Sequence, residues 1–260
     1  MEYLSIVQSY VTGPGLVAQI LLTIVAVIVL YAIITVCEVV VETVKKFNHQ
    51  TADLFPDTTT TKQVLVQSTT SDSPLIYNSE NEVHGMEFSY SMYLFIDPET
   101  FEKSVAQTCG GAVAQDRNFL KHIFHKGGKD GFPLMAPGLF VEGDKNTLRL
   151  YMNSSNKWDN YVTIPNIPIG KWFHLVITVK GKYLDVFVNG NITVRHEFDT
   201  VPKLNSGNLY VLYPMKFPKN PSETDIVQGF RVDNAAKGMV SRLKYYAYAI
   251  NYAEIDKLYR

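Results

Sequence analysis

The sequence predicts an all-β chain, an antiparallel sandwich or barrel, preceded by one membrane-length helix. Three observations lead there. From residue 63 onward, short apolar or alternating runs recur between turn-forming residues, and only doubled or closed antiparallel sheets collect so many short strands. Near the N-terminus, every residue from 16 to 37 is apolar except Gln19, Thr23 and Thr35. Between two alternating runs stands Asn189-Gly190, a pair suited to the positive φ angles of a tight hairpin turn.

In chain order, residues 1–15 form a short N-terminal segment. Tyr3, Ile6, Val7 and Tyr10 fall at helical spacing there, and Gly13-Pro14-Gly15 separates them from the long apolar run. The segment reads either as a piece lying in a membrane interface or as a frayed end. Residues 16–42 are expected to be a transmembrane helix and its flank, with residues 16–37 in the lipid bilayer. No charge occurs between Glu2 and Glu38, and twenty-two residues of helix span about 33 Å, against about 30 Å for a bilayer core. The β-branched run around Ile24 lowers helix propensity in water, but a lone segment in lipid can satisfy its backbone only as a helix. A cleaved signal peptide wants a positive start and a shorter apolar stretch; here Glu2 is the only side-chain charge before the span. Lys45 and Lys46 come after it, so the positive-inside rule puts the C-terminal bulk on the cytosolic side.

Residues 43–62 are polar, with Pro56 and a threonine run from 58 to 61, and read as a tether. Residues 63–260 read as one all-β domain. Its candidate strands include residues 63–67, 86–96, 119–124, 138–141, 147–152, 171–179, 183–188, 192–198, 208–212 and 239–248. In the run from Trp172, residues Phe173, Leu175, Ile177 and Val179 share one face while Trp172, His174, Val176 and Thr178 share the other. Both faces are largely apolar, which predicts a central strand covered on each side.

The stretch Gly170-Lys171-Trp172-Phe173-His174, with a valine-rich strand and then Val188-Asn189-Gly190, resembles the core of the concanavalin A-like lectin/glucanase superfamily in its laminin-G-like branch. Trp172, His174, Asn189 and Gly190 carry that signature. His122-Ile123-Phe124-His125-Lys126-Gly127 is similar to the family's strand ending in Lys-Gly, and residues 238–259 to its closing strand and short C-terminal helix. The resemblance covers roughly residues 83–260 and implies a two-sheet antiparallel jelly-roll sandwich. Anchor, tether and domain together resemble membrane-anchored laminin-G-like proteins of large double-stranded DNA viruses. There such a domain can be a minor capsid protein, with other capsid or membrane proteins as partners.

The charge balance, 24 Lys+Arg against 25 Asp+Glu, argues against nucleic acid, which needs a basic surface. Two cysteines, Cys37 and Cys109, are too few for a disulfide framework or a structural zinc site; Cys109 suits a reducing compartment. Retaining glucanases pair two carboxyl groups, and the nearest runs here, Glu142-Gly143-Asp144 and Glu223-Thr224-Asp225, each lack the last acid of the family's motif. No catalytic residue is expected. His122 and His125, three apart on a strand, should point to opposite faces and so not share a metal. Calcium occurs in some relatives, but no dense Asp/Asn loop marks a site, and no cofactor is expected.

Carbohydrate is the alternative partner. Trp158-Asp159-Asn160-Tyr161 combines aromatic and amide groups as a sugar platform does, and Tyr210 and Tyr213 offer another aromatic surface. The competing reading is that these rings pack the fold or contact protein. The expected function is a non-enzymatic structural protein; a membrane-anchored lectin is the alternative. Two glycosylation sequons, at Asn153 and Asn191, test the orientation.

Overall fold

A computed structural model describes residues 15–79, 85–101, 119–217 and 229–259, together with Tyr3, Ser5, Ile6 and Gln8. Cys109, the run 223–228 and most of residues 1–14 lie outside the described residues. The chain divides into two units, Met1–His49 and Gln50–Arg260.

The first unit is built on helix α1, Leu16–His49. It carries a candidate membrane span, Gln19–Val41, with a mean hydropathy of 3.0. Every side chain in that span is exposed. Its polar exceptions are satisfied inside the helix: the hydroxyls of Thr23 and Thr35 donate to the carbonyls of Gln19 and Tyr31, at 2.8 and 2.9 Å. Such back-bonding lets threonine sit in an apolar helix without an open donor.

Residues expected as a tether are largely structured instead. Helix α1 runs on to His49, and strand β1, Thr51–Thr59, is the edge of a sheet in the second unit. It pairs antiparallel with the late strand β14, Gly238–Tyr246. Leu54 is buried in the core, with Ala52 and Phe55 packed against it, while the threonines face outward as β-branched edge residues. Pro56 falls where the register shifts, between Phe55 and Thr58, so its missing N–H costs no regular ladder bond. The polar composition marked an edge strand rather than a linker.

The second unit is a sandwich of two sheets. Its further strands are β2 (Gln63–Leu65), β3 (Glu87–Ile96), β4 (Leu120–Gly127), β5 (Met135–Glu142), β6 (Leu148–Tyr151), β7 (Tyr161–Ile164) and β8 (Trp172–Lys180). Then come β9 (Tyr183–Val188), β10 (Asn191–Glu197), β11 (Asn208–Val211), β12 (Lys216–Phe217) and β13 (Val232–Ala235). One sheet has the order β1-β14-β3-β8-β9-β10; the other runs β12-β13-β4-β5-β6-β7, with β11 pairing both β4 and β2. The pairing is antiparallel except between β13 and β4. The all-β expectation holds, and the run from Trp172 is indeed an interior strand.

The core lies between the sheets. Phe88, Tyr90, Met92 and Leu94 of β3 and Phe173, Leu175, Ile177 and Val179 of β8 join Phe124, Leu139 and Leu150 of the opposite sheet. On the other side of the first sheet, Val176, Phe187, Tyr246 and Ile250 form a smaller cluster sealed by Ile255. Ile255 comes from helix α2, Tyr252–Tyr259. Asn251 caps that helix, its side-chain oxygen accepting from the Glu254 N–H while Glu254 Oε2 accepts from the Asn251 N–H. This reciprocal pair sets the helix start. Ile255→Ala should therefore destabilise the domain by roughly 2–4 kcal/mol, read as a lowered urea midpoint of the full chain in neutral detergent.

Candidate functional site

The signature residues form one structural unit. Asn189 and Gly190 both adopt positive φ, 50° and 77°, as a two-residue hairpin turn between β9 and β10 requires. The Asn189 side-chain oxygen also accepts the His174 backbone N–H at 2.9 Å, and the Asn189 N–H donates to the His174 carbonyl at 2.8 Å. Turn and central strand are thereby locked in register. A Cβ on Gly190 would stand 3.5 Å from the Tyr259 ring, so helix α2 packs over the same turn. His174 is buried; its Nε2 lies 2.8 Å from Ser91 Oγ, and its ring stacks on Tyr93 at 4.8 Å. Trp172, at the strand's start, is 43% exposed and leans on Phe95.

The aromatic candidates border a second apolar cluster, on β4, β5 and β6 and their neighbours. Trp158 is half-buried there, edge-on to Phe132 at 4.9 Å and to Phe230 at 5.5 Å. Asn160 donates to Ser154 Oγ at 2.7 Å, so its amide is spent on the loop. Tyr161 alone of this group is exposed, with the Arg149 guanidinium 5.0 Å from its ring centre. Tyr210 is buried and stacked on His125 at 4.8 Å, and Tyr213 meets it edge-on. These rings are used mainly in packing. Asn153 is buried too, with its oxygen accepting from the Met135 N–H and its amide donating to the Trp158 carbonyl. Of the two sequons only Asn191 is exposed.

The two histidines of β4 do not point apart. Opposite β5 the register shifts between His122 and Phe124, a bulge that adds one residue and reverses the alternation. His122 Nε2 and His125 Nδ1 are thus 2.7 Å apart. The Tyr213 N–H donates to His122 Nδ1 at 3.0 Å, and His125 Nε2 lies 2.8 Å from the Gly128 carbonyl. Along this chain of bonds each neutral ring donates once and accepts once. Both rings stay uncharged: burial holds His122 well below the usual imidazole range and His125 at about 4. All four ring nitrogens are occupied, which is why the pair offers no metal lone pair. Lys126 at the strand's end is buried and donates to the Gly207 carbonyl at 3.0 Å; burial lowers its ammonium pKa to about 8. Glu142, from the glucanase-like run, is buried in an ion pair with Arg149.

A cleft of about 480 Å³ opens on the outer face of the first sheet, lined by Asp53, Ser91, Tyr93, His174, Arg242 and Lys257 among others. Beside it a hollow of about 340 Å³ shares Tyr93 and Arg242 and reaches Trp172. The opening lies where β14 shifts register between Ser241 and Lys244 and Arg242 takes a left-handed φ of 49°. Of these residues, only His174 and Trp172 stand out in the sequence. The other groups come from β1, β3, β14 and α2, and no local motif joins them.

A model of the concanavalin A-like lectin/glucanases superfamily matches residues 112–256, more than half of the chain. The chain belongs to this superfamily. No curated protein sequence matches it. Among solved structures, it is similar to the botulinum neurotoxin type G receptor binding domain, at 12% identity and a TM-score of 0.45, covering 80% of this chain and 45% of that one. It is also similar to the botulinum neurotoxin serotype D ligand binding domain in complex with N-acetylneuraminic acid, at 12% identity and a TM-score of 0.48, covering 81% and 42%. The chain spans under half of each of those structures.

The hydrogen bonds of this concanavalin A-like domain make two outcomes measurable. Asn189→Ala removes an acceptor and puts a residue with less tolerance of left-handed backbone in the turn, and should cost about 1–3 kcal/mol by urea unfolding. The buried imidazoles make stability pH-dependent. Unfolded histidines protonate near 6.5, whereas His125 resists until about 4. Stability from His125 is therefore complete above pH about 6.5 and falls as pH drops towards 4, by about 3 kcal/mol. His125→Gln should flatten that slope.

Proposed function

We propose that the protein is a membrane-anchored, non-enzymatic structural module whose concanavalin A-like domain docks on neighbouring proteins. The observation that carries the reading is helix α1. A run of exposed apolar side chains from Gln19 to Val41 is far larger than the apolar patches soluble proteins leave in water, and its length, about 34 Å as a helix, suits a bilayer core. Lys45 and Lys46 after the span support a domain on the cytosolic side.

The specific setting proposed is a virion. An anchor joined to a single laminin-G-like domain resembles the minor capsid proteins that link an internal membrane to the shell of large double-stranded DNA viruses. The near-neutral charge of the chain fits a protein partner better than nucleic acid. Glycan binding is the competing role. The packing of Trp158 and Tyr210 and the bonded amide of Asn160 leave less for a sugar than the residue types suggest.

Membrane fractions from cells making the full chain provide the test. The protein should resist carbonate extraction, remain open to protease added from the cytosolic side, and carry no glycan on Asn191. Mass spectrometry should then find it in purified particles after detergent stripping. A soluble protein, or a glycan on Asn191, sinks the anchor and its orientation respectively. Absence from particles together with specific glycan binding replaces the capsid role by the lectin one.

A further inference from the structure

We propose that the cleft between β1, β14 and the end of helix α2 binds a small oxyanion, a carboxylate or phosphate group, held by Arg242 and Lys257. The charges around it are unequal. Lys244 pairs with Asp53 at 3.0 Å, whereas Arg242 and Lys257 form no ion pair among the described residues. Among the described lining residues Asp53 is the only one with a side-chain carboxylate, and it is already paired. Two cations are left to face the cleft.

Arg242 is held there against its backbone preference. An L-residue at φ 49° is disfavoured, and bulges that re-aim one side chain cluster at binding sites. Its guanidinium lies 5.8 Å from the centre of the Tyr93 ring, which fixes its position without neutralising it. Tyr93 in turn donates to the Leu258 carbonyl at 2.8 Å, so the helix end is capped and does not direct that oxygen at an arriving anion.

Beneath them lies His174, one of the residues lining the cleft. It is 1% exposed, and its Nδ1 has no hydrogen-bond partner. Buried polar atoms are nearly always satisfied, so the unpaired Nδ1 of a ring that lines a cationic cleft is a second observation pointing to a ligand there. Ser91 and Tyr93 of β3 and Tyr259 of α2 contact this ring, and the charged groups that share its cleft are Asp53, Lys244, Arg242 and Lys257. With Ser91 on Nε2, a proton on Nδ1 gains from a negative charge above it. The adjoining hollow leads from Arg242 to the exposed face of Trp172, leaving room for whatever the oxyanion is attached to.

The test is a titration of the full chain in neutral detergent with inorganic phosphate and, separately, acetate, each at constant ionic strength set with chloride. The His174 ring signals are followed by NMR. Saturable shifts with either anion, together with a rise in the His174 titration midpoint, support the site; which anion binds tells phosphate from carboxylate. Arg242→Gly should weaken that binding about tenfold or more. Because glycine accepts a positive φ freely, its unfolding midpoint should match or exceed that of the parent, so the loss is not one of folding. Lys257→Gln, on the exposed end of α2, should weaken binding as well. No saturable shift with either anion, or equal binding in Arg242→Gly, overturns the proposal.

Discussion

Strand β8 has to be buried on both faces, and most of the second unit is arranged to meet that need. Phe173, Leu175, Ile177 and Val179 enter the core between the sheets. On the reverse side Val176 lies under Ile255 of helix α2. An open antiparallel sheet ordinarily leaves one face to water; here the short C-terminal helix covers part of it. The hairpin turn at Asn189-Gly190 binds the β8 backbone at His174 and lets Tyr259 approach over Gly190. Turn, central strand and helix are therefore one cooperative contact, and the family signature is a packing device before it is anything else.

The covered face is incomplete, and its edge is where the chemistry collects. A cleft lies between β1, β14 and helix α2, where β1 and β14 both break register. The gap exposes cations at the rim and leaves a neutral histidine beneath. The opposite sheet behaves otherwise. Its β4 histidines bond to each other, Tyr210 stacks on His125, and Trp158 packs on Phe132, so most of the residue types that suggest recognition serve cohesion instead.

Much of the fold was legible from local pattern. Alternation marked β3, β8 and β9, and Asn-Gly marked the turn between β9 and β10, because strand period and turn conformation are set by adjacent residues. Strand β1 was not legible. Its threonines and Pro56 carry linker composition, and only β14, distant in sequence, supplies the ladder that makes them a strand. The His122/His125 pair failed for a related reason: period-two reasoning is valid only in an unbroken ladder, and a bulge against β5 turned both rings to one side. Of the candidate site, His174 and Trp172 stood out in sequence; Arg242 did not, since nothing around it shows that its backbone is left-handed.

The sequence by itself determined an apolar helix long enough for a bilayer, an all-β domain, and the hairpin at its centre. Each depends on residues near one another in the chain: hydropathy accumulates along a helix, alternation along a strand, and φ at two turn residues. Tertiary structure decided which rings are buried, which sequon is open, and which charges share a cleft. Those outcomes depend on strand register and on which distant segment covers a face, and neither is encoded in any short stretch of sequence.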